Sequence, residues 1–324
     1  MELLFSSVAI VIPCRNEVSQ IPTLVTEIDQ VISSSFESSE FEIIVVDDGS
    51  SDNLFDEILG LRSQSWLSKF TLQIVQLSKN YGKDNAILAG FQHLDASSEL
   101  IFIIDADGQH PPTLIPDMFI AIKKNAGVDQ VVAFRGPNSY QSYFRSRIGN
   151  LFSILNKRKY GNTSETDFRV IRREIVERLL LFKESKIHLQ ELIAATGPST
   201  ERIFFDVRSP YLIAETKRKS RWSNLGLFDY ATLALLNRQD AILALILWTF
   251  AINTICAVGL ISATIARTLS TGDRSGTSTI LIVDSLYFIM VVVMLFLVLL
   301  YVRQTLLEVK QRPRYFIKRI KKVL

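Results

Sequence analysis

Residues 100–112 read LIFIIDADGQHPP. An unbroken apolar run ends in Asp105-Ala106-Asp107, and Gly108-Gln109-His110-Pro111-Pro112 follows. A continuously apolar run of this length suits a parallel strand covered on both faces. VAIVI (8–12), EIIVVD (42–47), TLQIVQL (71–77) and QVVAF (130–134) read the same way. Helix-like stretches around 19–34, 52–62, 84–94 and 113–125 stand between them. The alternation predicts an α/β domain, Rossmann-like, with a mostly parallel sheet.

Acidic residues gather where these strands end, the side on which open α/β sheets bind ligands. Strand 42–47 runs into Asp47-Asp48-Gly49-Ser50-Ser51-Asp52, and strand 100–105 runs into Asp105-Ala106-Asp107. On an extended end, alternate side chains face the same way, so Asp105 and Asp107 can share one site. Hard oxygen ligands in that arrangement suit a Mg2+ or Mn2+ ion that also holds a diphosphate. Either cluster alone reads equally as a turn or a helix cap. No GxxxxGK[ST] loop and no GxGxxG after the first strand is present, which removes support for ATPase and dinucleotide-binding readings.

The chain has 324 residues, 48% hydrophobic and 21% charged. Its mean hydropathy of +0.22 is high for one soluble core and directs attention to membrane segments. Residues 241–266 carry no charge, and 275–302 carry only Asp284. Each exceeds the roughly 20 apolar residues that a membrane helix needs. The expected organisation is an α/β domain over 1–222, an interfacial amphipathic helix over 223–240, a transmembrane hairpin (241–266 and 279–302), and a basic tail over 303–324. Residues 241–324 hold ten Lys/Arg against three Asp/Glu, a balance of +7. The rest of the chain has a balance of −4, which speaks against a nucleic-acid partner. By the positive-inside rule the tail and the N-terminal domain are expected to be cytoplasmic, in an integral membrane protein. No signal peptide is read at the N-terminus. The two cysteines, Cys14 and Cys256, are too few for a disulfide framework and are expected to be unpaired and buried.

VIPCRNE (11–17), IIVVDDGSSDN (43–53), LSKNYGKDNAILAGF (77–91), DADGQHPP (105–112) and TDFR (166–169) occur in that order. Together they resemble the motifs of family 2 glycosyltransferases of the GT-A fold, with Lys79 in place of Arg and Gly108 in place of Leu. With two apolar segments and a basic tail, the chain looks like the subgroup that glycosylates polyprenyl phosphates. Dolichol-phosphate mannose synthases and bactoprenol glucosyltransferases belong to that subgroup. The resemblance implies a nucleotide-sugar donor, UDP-glucose first among the candidates, a divalent ion, a polyprenyl phosphate acceptor and inversion at the sugar carbon. It implies that Pro13, Cys14, Asn16, Glu17, Asp48, Lys83, Asp105 and Ala106 contact the nucleotide. It gives the metal to Asp105, Asp107 and Gln109, and the catalytic roles to Asp167 and Asp107. Arg135, Arg145, Arg147 and Arg169 become candidates for the acceptor phosphate. The chain departs from the family's RxxGxSKY at 215–222, where Glu215 replaces Arg and Arg218 replaces Gly. Lys217, Arg218 and Arg221 supply cations there and join the phosphate candidates.

Two alternatives differ in kind. One is a processive polysaccharide synthase, for which two membrane helices are too few to form a channel. The other is a catalytically silent membrane scaffold, against which the intact Asp105, Asp107 and Gln109 argue. A homo-oligomer is compatible with Asn253 in the first apolar segment. Asp167 has a plain structural alternative, pairing with Arg169 to hold a loop.

Overall fold

The computed structural model describes residues 7–36, 40–60, 70–135, 165–183, 189–205, 239–271, 277–310 and 313–323. Arg145, Arg147, Lys217, Arg218 and Arg221 lie outside them, as does the interfacial helix expected from 223, except for its last two residues. The chain divides into two units, residues 1–217 with 313–324, and residues 218–312.

The first unit is a sheet of eight strands in the order β7-β5-β6-β4-β1-β2-β3-β8. The strands are β1 (Ser7–Cys14), β2 (Glu40–Asp47), β3 (Phe70–Leu77), β4 (Leu100–Ile103), β5 (Gln130–Arg135), β6 (Glu165–Arg172), β7 (Thr200–Phe205) and β8 (Ile317–Lys322). The helices are α1 (Ile21–Ser35), α2 (Leu54–Gly60), α3 (Lys83–Phe91), α4 (Ile115–Lys124), α5 (Arg173–Leu181) and α6 (Leu189–Ala195). The five strands and four helices expected from the sequence are present within a few residues of their expected ends. β1 is buried along its whole length, as a parallel strand covered on both faces must be. α1 buries Ile21, Leu24, Val25, Ile28 and Ile32, a helical stripe, and carries Pro22 in its first turn, where a missing N–H costs nothing.

Two apolar layers flank the sheet. Phe36, Phe41 and Phe119 pack edge to face in one, with ring centroids 5.0–5.1 Å apart. In the other, α3 lies so close to the strands that a Cβ on Gly90 would stand 2.5 Å from Val11 Cγ1. That approach explains why the AG pair of the 77–91 stretch needs glycine.

The sheet departs from the expectation at both flanks. β6 inserts antiparallel between β4 and β5. Its apolar pattern is broken by the buried Arg169, which hides the strand in the sequence. β8 adds antiparallel to β3, with Val75 opposite Ile320 and Gln76 opposite Arg319. The basic tail over 303–324 is therefore not only a charged extension. Its last part is an edge strand of the catalytic sheet, and Val323 is 2% exposed in the core.

The second unit holds α7 (Gln239–Thr271) and α8 (Thr277–Val309), 33 residues each. At 1.5 Å per residue each is roughly 50 Å long. Trp248, Ile255, Leu269, Phe288 and Leu299 on these helices are 66–83% exposed. Counting only positions whose side chains are described, no helix is long and apolar enough to cross a membrane. Cys14 is free and buried as expected, whereas Cys256, expected to be buried, is free and exposed on α7.

Candidate active site

β1 has β2 on one side and β4 on the other: the chain winds outward through β2 and β3 and then crosses back past β1 to β4. That is the switch point where a parallel sheet opens a crevice beyond its strand ends. Asn16 and Glu17 follow β1 there, Asp48 follows β2, and Asp105 and Asp107 follow β4. The strand ends that carry these motifs are neighbours in the sheet.

The β2 end is a tightly bonded turn. Asp47 Oδ1 accepts from the Ser50 N–H at 2.8 Å, and Ser50 Oγ accepts from the Asn16 N–H at 2.9 Å. Asn16 Oδ1 accepts from the Ser51 N–H at 2.8 Å, tying the loops after β1 and β2 together. Asn16 has φ 55°, a left-handed conformation that asparagine tolerates. A Cβ on Gly49, itself at φ +63°, would sit 2.3 Å from the Lys79 carbonyl carbon. Only glycine fits the DDGS turn against the next loop.

Asp48 accepts from the Tyr81 and Gly82 N–H groups at 2.6 and 2.9 Å. Burial pushes its carboxyl up, and those two bonds oppose the shift. Both its oxygens are engaged, so Asp48 holds the loop that begins α3. Cys14, at the end of β1, is buried: its thiol donates to the Val46 carbonyl at 3.4 Å, and burial pushes it up.

Lys83, the first residue of α3, lies at the centre. Its Nζ is 2.6 and 2.7 Å from the two Asp105 oxygens and 2.5 Å from Asp167 Oδ2. The register of β4 with β6 accounts for this meeting. Ile103 pairs with Arg169, so two residues further on Asp105 stands across from Asp167. Asp167 Oδ1 also accepts from Gln190 Nε2 of α6 at 3.1 Å, and Arg169 Nη2 is 3.9 Å away. Burial alone would raise Asp167, but the Lys83 charge outweighs it and holds the carboxyl down to about 2. Burial would lower Lys83, and Asp105 with Asp167 overcomes that and raises it. Asp107 is pushed up by burial and then by the Asp105 charge. Its Oδ1 accepts from the Gln109 N–H at 3.1 Å, which shapes the turn.

Three residues of the site carry roles that the motifs did not reveal. His110 Nδ1 accepts from the Asp105 N–H at 3.0 Å, which places the ring proton on Nε2. Its ring stacks on Phe168 at 5.0 Å, and burial lowers its pKa, so it stays neutral and fixes the Asp-x-Asp turn. Gln190 had no sequence signal of its own. Arg169, expected at the acceptor phosphate, is 1% exposed and lies beneath Asp167, so a lipid phosphate does not reach it. Of the other phosphate candidates, Arg135 is described only as the last backbone position of β5.

Asp105 and Asp107 supply two hard carboxylates, and no group of three His, Cys, Asp or Glu suited to a metal occurs among the described residues. Two carboxylates fit Mg2+ or Mn2+, which commonly take their remaining ligands from substrate phosphates and water.

The chain belongs to glycosyl transferase family 2, whose profile matches residues 9–180. It is a glycosyltransferase. CsbB of Bacillus subtilis (strain 168), named as a glycosyltransferase, is 27% identical over 318 residues, 96% of this chain and 91% of that protein. A prophage bactoprenol glucosyl transferase homolog of Escherichia coli (strain K12) is 28% identical over 330 residues, 97% of this chain and 99% of that protein. Among solved structures, mannosyl-3-phosphoglycerate synthase from Rubrobacter xylanophilus aligns over 72% of this chain and 74% of its own, with 17% identity and a TM-score of 0.48. The mannosyltransferase PcManGT from Pyrobaculum calidifontis, solved with GDP-Man and Mn2+, aligns over 88% and 86%, with 18% identity and a TM-score of 0.44.

The depressed Asp167 makes a stability prediction. Its folded value of about 2 lies below the ordinary 3.8, so its contribution is complete above about pH 4. The contribution is lost as pH falls through about 2, because the unfolded chain takes the proton first. Thermal midpoints of the full chain between pH 5 and about 2 are expected to fall more steeply for wild type than for Asp167→Asn. Parallel curves would contradict the Lys83–Asp167 pairing.

Proposed function

We propose that the protein transfers one sugar from a nucleotide-sugar to a membrane polyprenyl phosphate, with inversion, at the cytoplasmic face. UDP-glucose is the donor put forward and undecaprenyl phosphate the acceptor. The observation that carries the acceptor class is the exposed apolar surface of α7 and α8, in the same chain as the carboxylates at the switch point. Soluble proteins rarely leave contiguous apolar surface of this kind uncovered. The name of the Escherichia coli relative, which aligns along nearly the whole chain, supports the same acceptor.

In this reading the loops after β1 and β2 receive the nucleotide, and Asp105 and Asp107 face its diphosphate. A Mg2+ or Mn2+ held by Asp105 and Asp107 would supply Lewis-acid neutralisation of the departing diphosphate. An acceptor phosphate oxygen forms the bond to the anomeric carbon as the bond to the nucleoside diphosphate breaks. The acceptor is already ionised near neutrality, since a phosphate second pKa is about 6, so no strong base is required. Asp167 fits that requirement. A carboxyl held at about 2 is a poor proton acceptor at neutral pH, and its fixed negative charge can orient the acceptor or stabilise positive charge at the sugar. Lys83 bridges Asp105 and Asp167 and so links the donor side of the crevice to the reacting carbon.

The chain leaves the catalytic unit after residue 217 and rejoins it at residue 313. If α7 and α8 cross the bilayer, they therefore do so as an even pair that returns the tail to the catalytic side. This agrees with the charge asymmetry and with a catalytic domain held beside an acceptor confined to the bilayer, which raises the effective concentration of the pair.

Purified full-length protein, incubated with a panel of nucleotide-sugars and undecaprenyl phosphate, is expected to give a single-sugar lipid by mass. Asp107→Asn or excess chelator is expected to lower turnover at least ~100-fold, the scale of losing a key electrostatic stabiliser. A polymer, or no donor turnover by the wild-type chain, would overturn the proposal.

Topology is checked separately. A cysteine at Ser275 is expected to react with a membrane-impermeant thiol reagent from outside the cell, and one at Lys322 only after permeabilisation. The reverse pattern would separate the site from its donor.

A further inference from the structure

β8 is more than an edge cover. Asp47, Gln76 and Arg319 are register partners across three adjacent strands, Asp47 opposite Gln76 and Gln76 opposite Arg319. Arg319 Nε donates to Gln76 Oε1 at 2.7 Å. An arginine only donates, so the Gln76 amide is oriented with its oxygen toward β8 and its nitrogen toward β2. Gln76 Nε2 then donates to Asp47 Oδ2 at 2.6 Å. Asp47 is fully buried, and its other oxygen takes the Ser50 N–H that closes the DDGS turn. The arginine is itself fixed, with its guanidinium carbon 3.5 Å over the Phe55 ring. The strand is held independently of this side chain. Phe316 O accepts from the Ser78 N–H at 2.8 Å, the Val323 N–H donates to Leu72 O at 2.7 Å, and the Arg314 guanidinium donates to the Phe182 carbonyl.

A buried carboxylate needs charged or strongly polar partners, and Gln76 passes the Arg319 charge to it. Without that orientation the Gln76 amide can turn its oxygen toward Asp47, which repels it and loosens the turn. The turn in question positions Ser50 and Ser51, and through them Asn16.

We propose that Arg319, in the strand that follows the apolar helices, is a positioning residue for the donor nucleotide, acting through Gln76 and Asp47 on the turn at 48–51. The strand that follows the apolar helices thus shapes the donor site through Gln76 and Asp47. This rests on the reading of the loops after β1 and β2 as the nucleotide site.

The test uses the full chain in detergent with Mn2+, measuring UDP affinity by calorimetry and donor KM and kcat by turnover. Arg319→Met keeps an apolar stem over Phe55 and removes the donation. It is expected to weaken UDP binding and raise donor KM about 10-fold, with kcat at saturating donor and acceptor KM within about twofold. Arg319→Lys, which keeps a charge over Phe55, is expected to recover affinity to about threefold below wild type. Gln76→Met is expected to match Arg319→Met, and the double variant to be no weaker than either, because the two act along one path. Wild-type UDP affinity in Arg319→Met, or a fall in kcat with KM unchanged, overturns the proposal. Should Arg319→Met lose its cooperative melt, Arg319→Lys decides, and unchanged affinity there overturns it equally. UDP binding by wild type reports on the nucleotide reading itself, and the ratio of variant to wild type reports on the relay.

Discussion

The antiparallel pairing of β6 with β4 is the constraint on which the site depends. Parallel strands alone would bring Asp48, Asp105 and Asp107 to one rim. Only a strand running the other way, in register with β4, sets Asp167 opposite Asp105. Two carboxylates that close repel unless a cation lies between them, and Lys83 at the start of α3 is that cation. The glycine at position 90 lets α3 approach β1 closely, and Asp48 fastens the loop before α3 by two backbone bonds. The core packing, the loop bonds and the ion pairs therefore converge on the position of one ammonium group.

This arrangement separates the duties of the carboxylates. Asp47 closes its own turn, and Asp48 holds the next loop. Asp105 and Asp107 follow β4, with neutral His110 fixing their turn. Asp167, at about 2, remains ionised throughout the neutral range. A transfer onto an ionised phosphate calls for such a fixed charge more than for a base.

Much of this was legible in the sequence because parallel strands buried on both faces are written as unbroken apolar runs, and acidic motifs at their ends stand out against them. What was hidden followed another logic. β6 carries Arg169 in mid-strand, and β8 is IKRIKK, a run whose charges read as a surface tail. Both strands get their partners from the tertiary fold rather than from their own hydrophobicity. The internal partners of Asp48 and Cys14 could not be read from their motifs, because they come from neighbours distant in the chain: Tyr81 and Gly82 for one, Val46 for the other. The same holds for Arg319, which a charge count places in a basic tail and the sheet register places opposite Gln76.

The central claim is that Asp105 and Asp107 form half of a metal site that the donor's diphosphate completes, with Lys83 holding Asp105 until then. Calorimetric titration of Mn2+ into the full-length chain, with and without saturating UDP, tests it most directly. The account predicts that Mn2+ binds at least about 10-fold more tightly when the diphosphate is present, and, by reciprocity, that UDP gains the same factor from the metal. Equal Mn2+ affinity in the two titrations would contradict it.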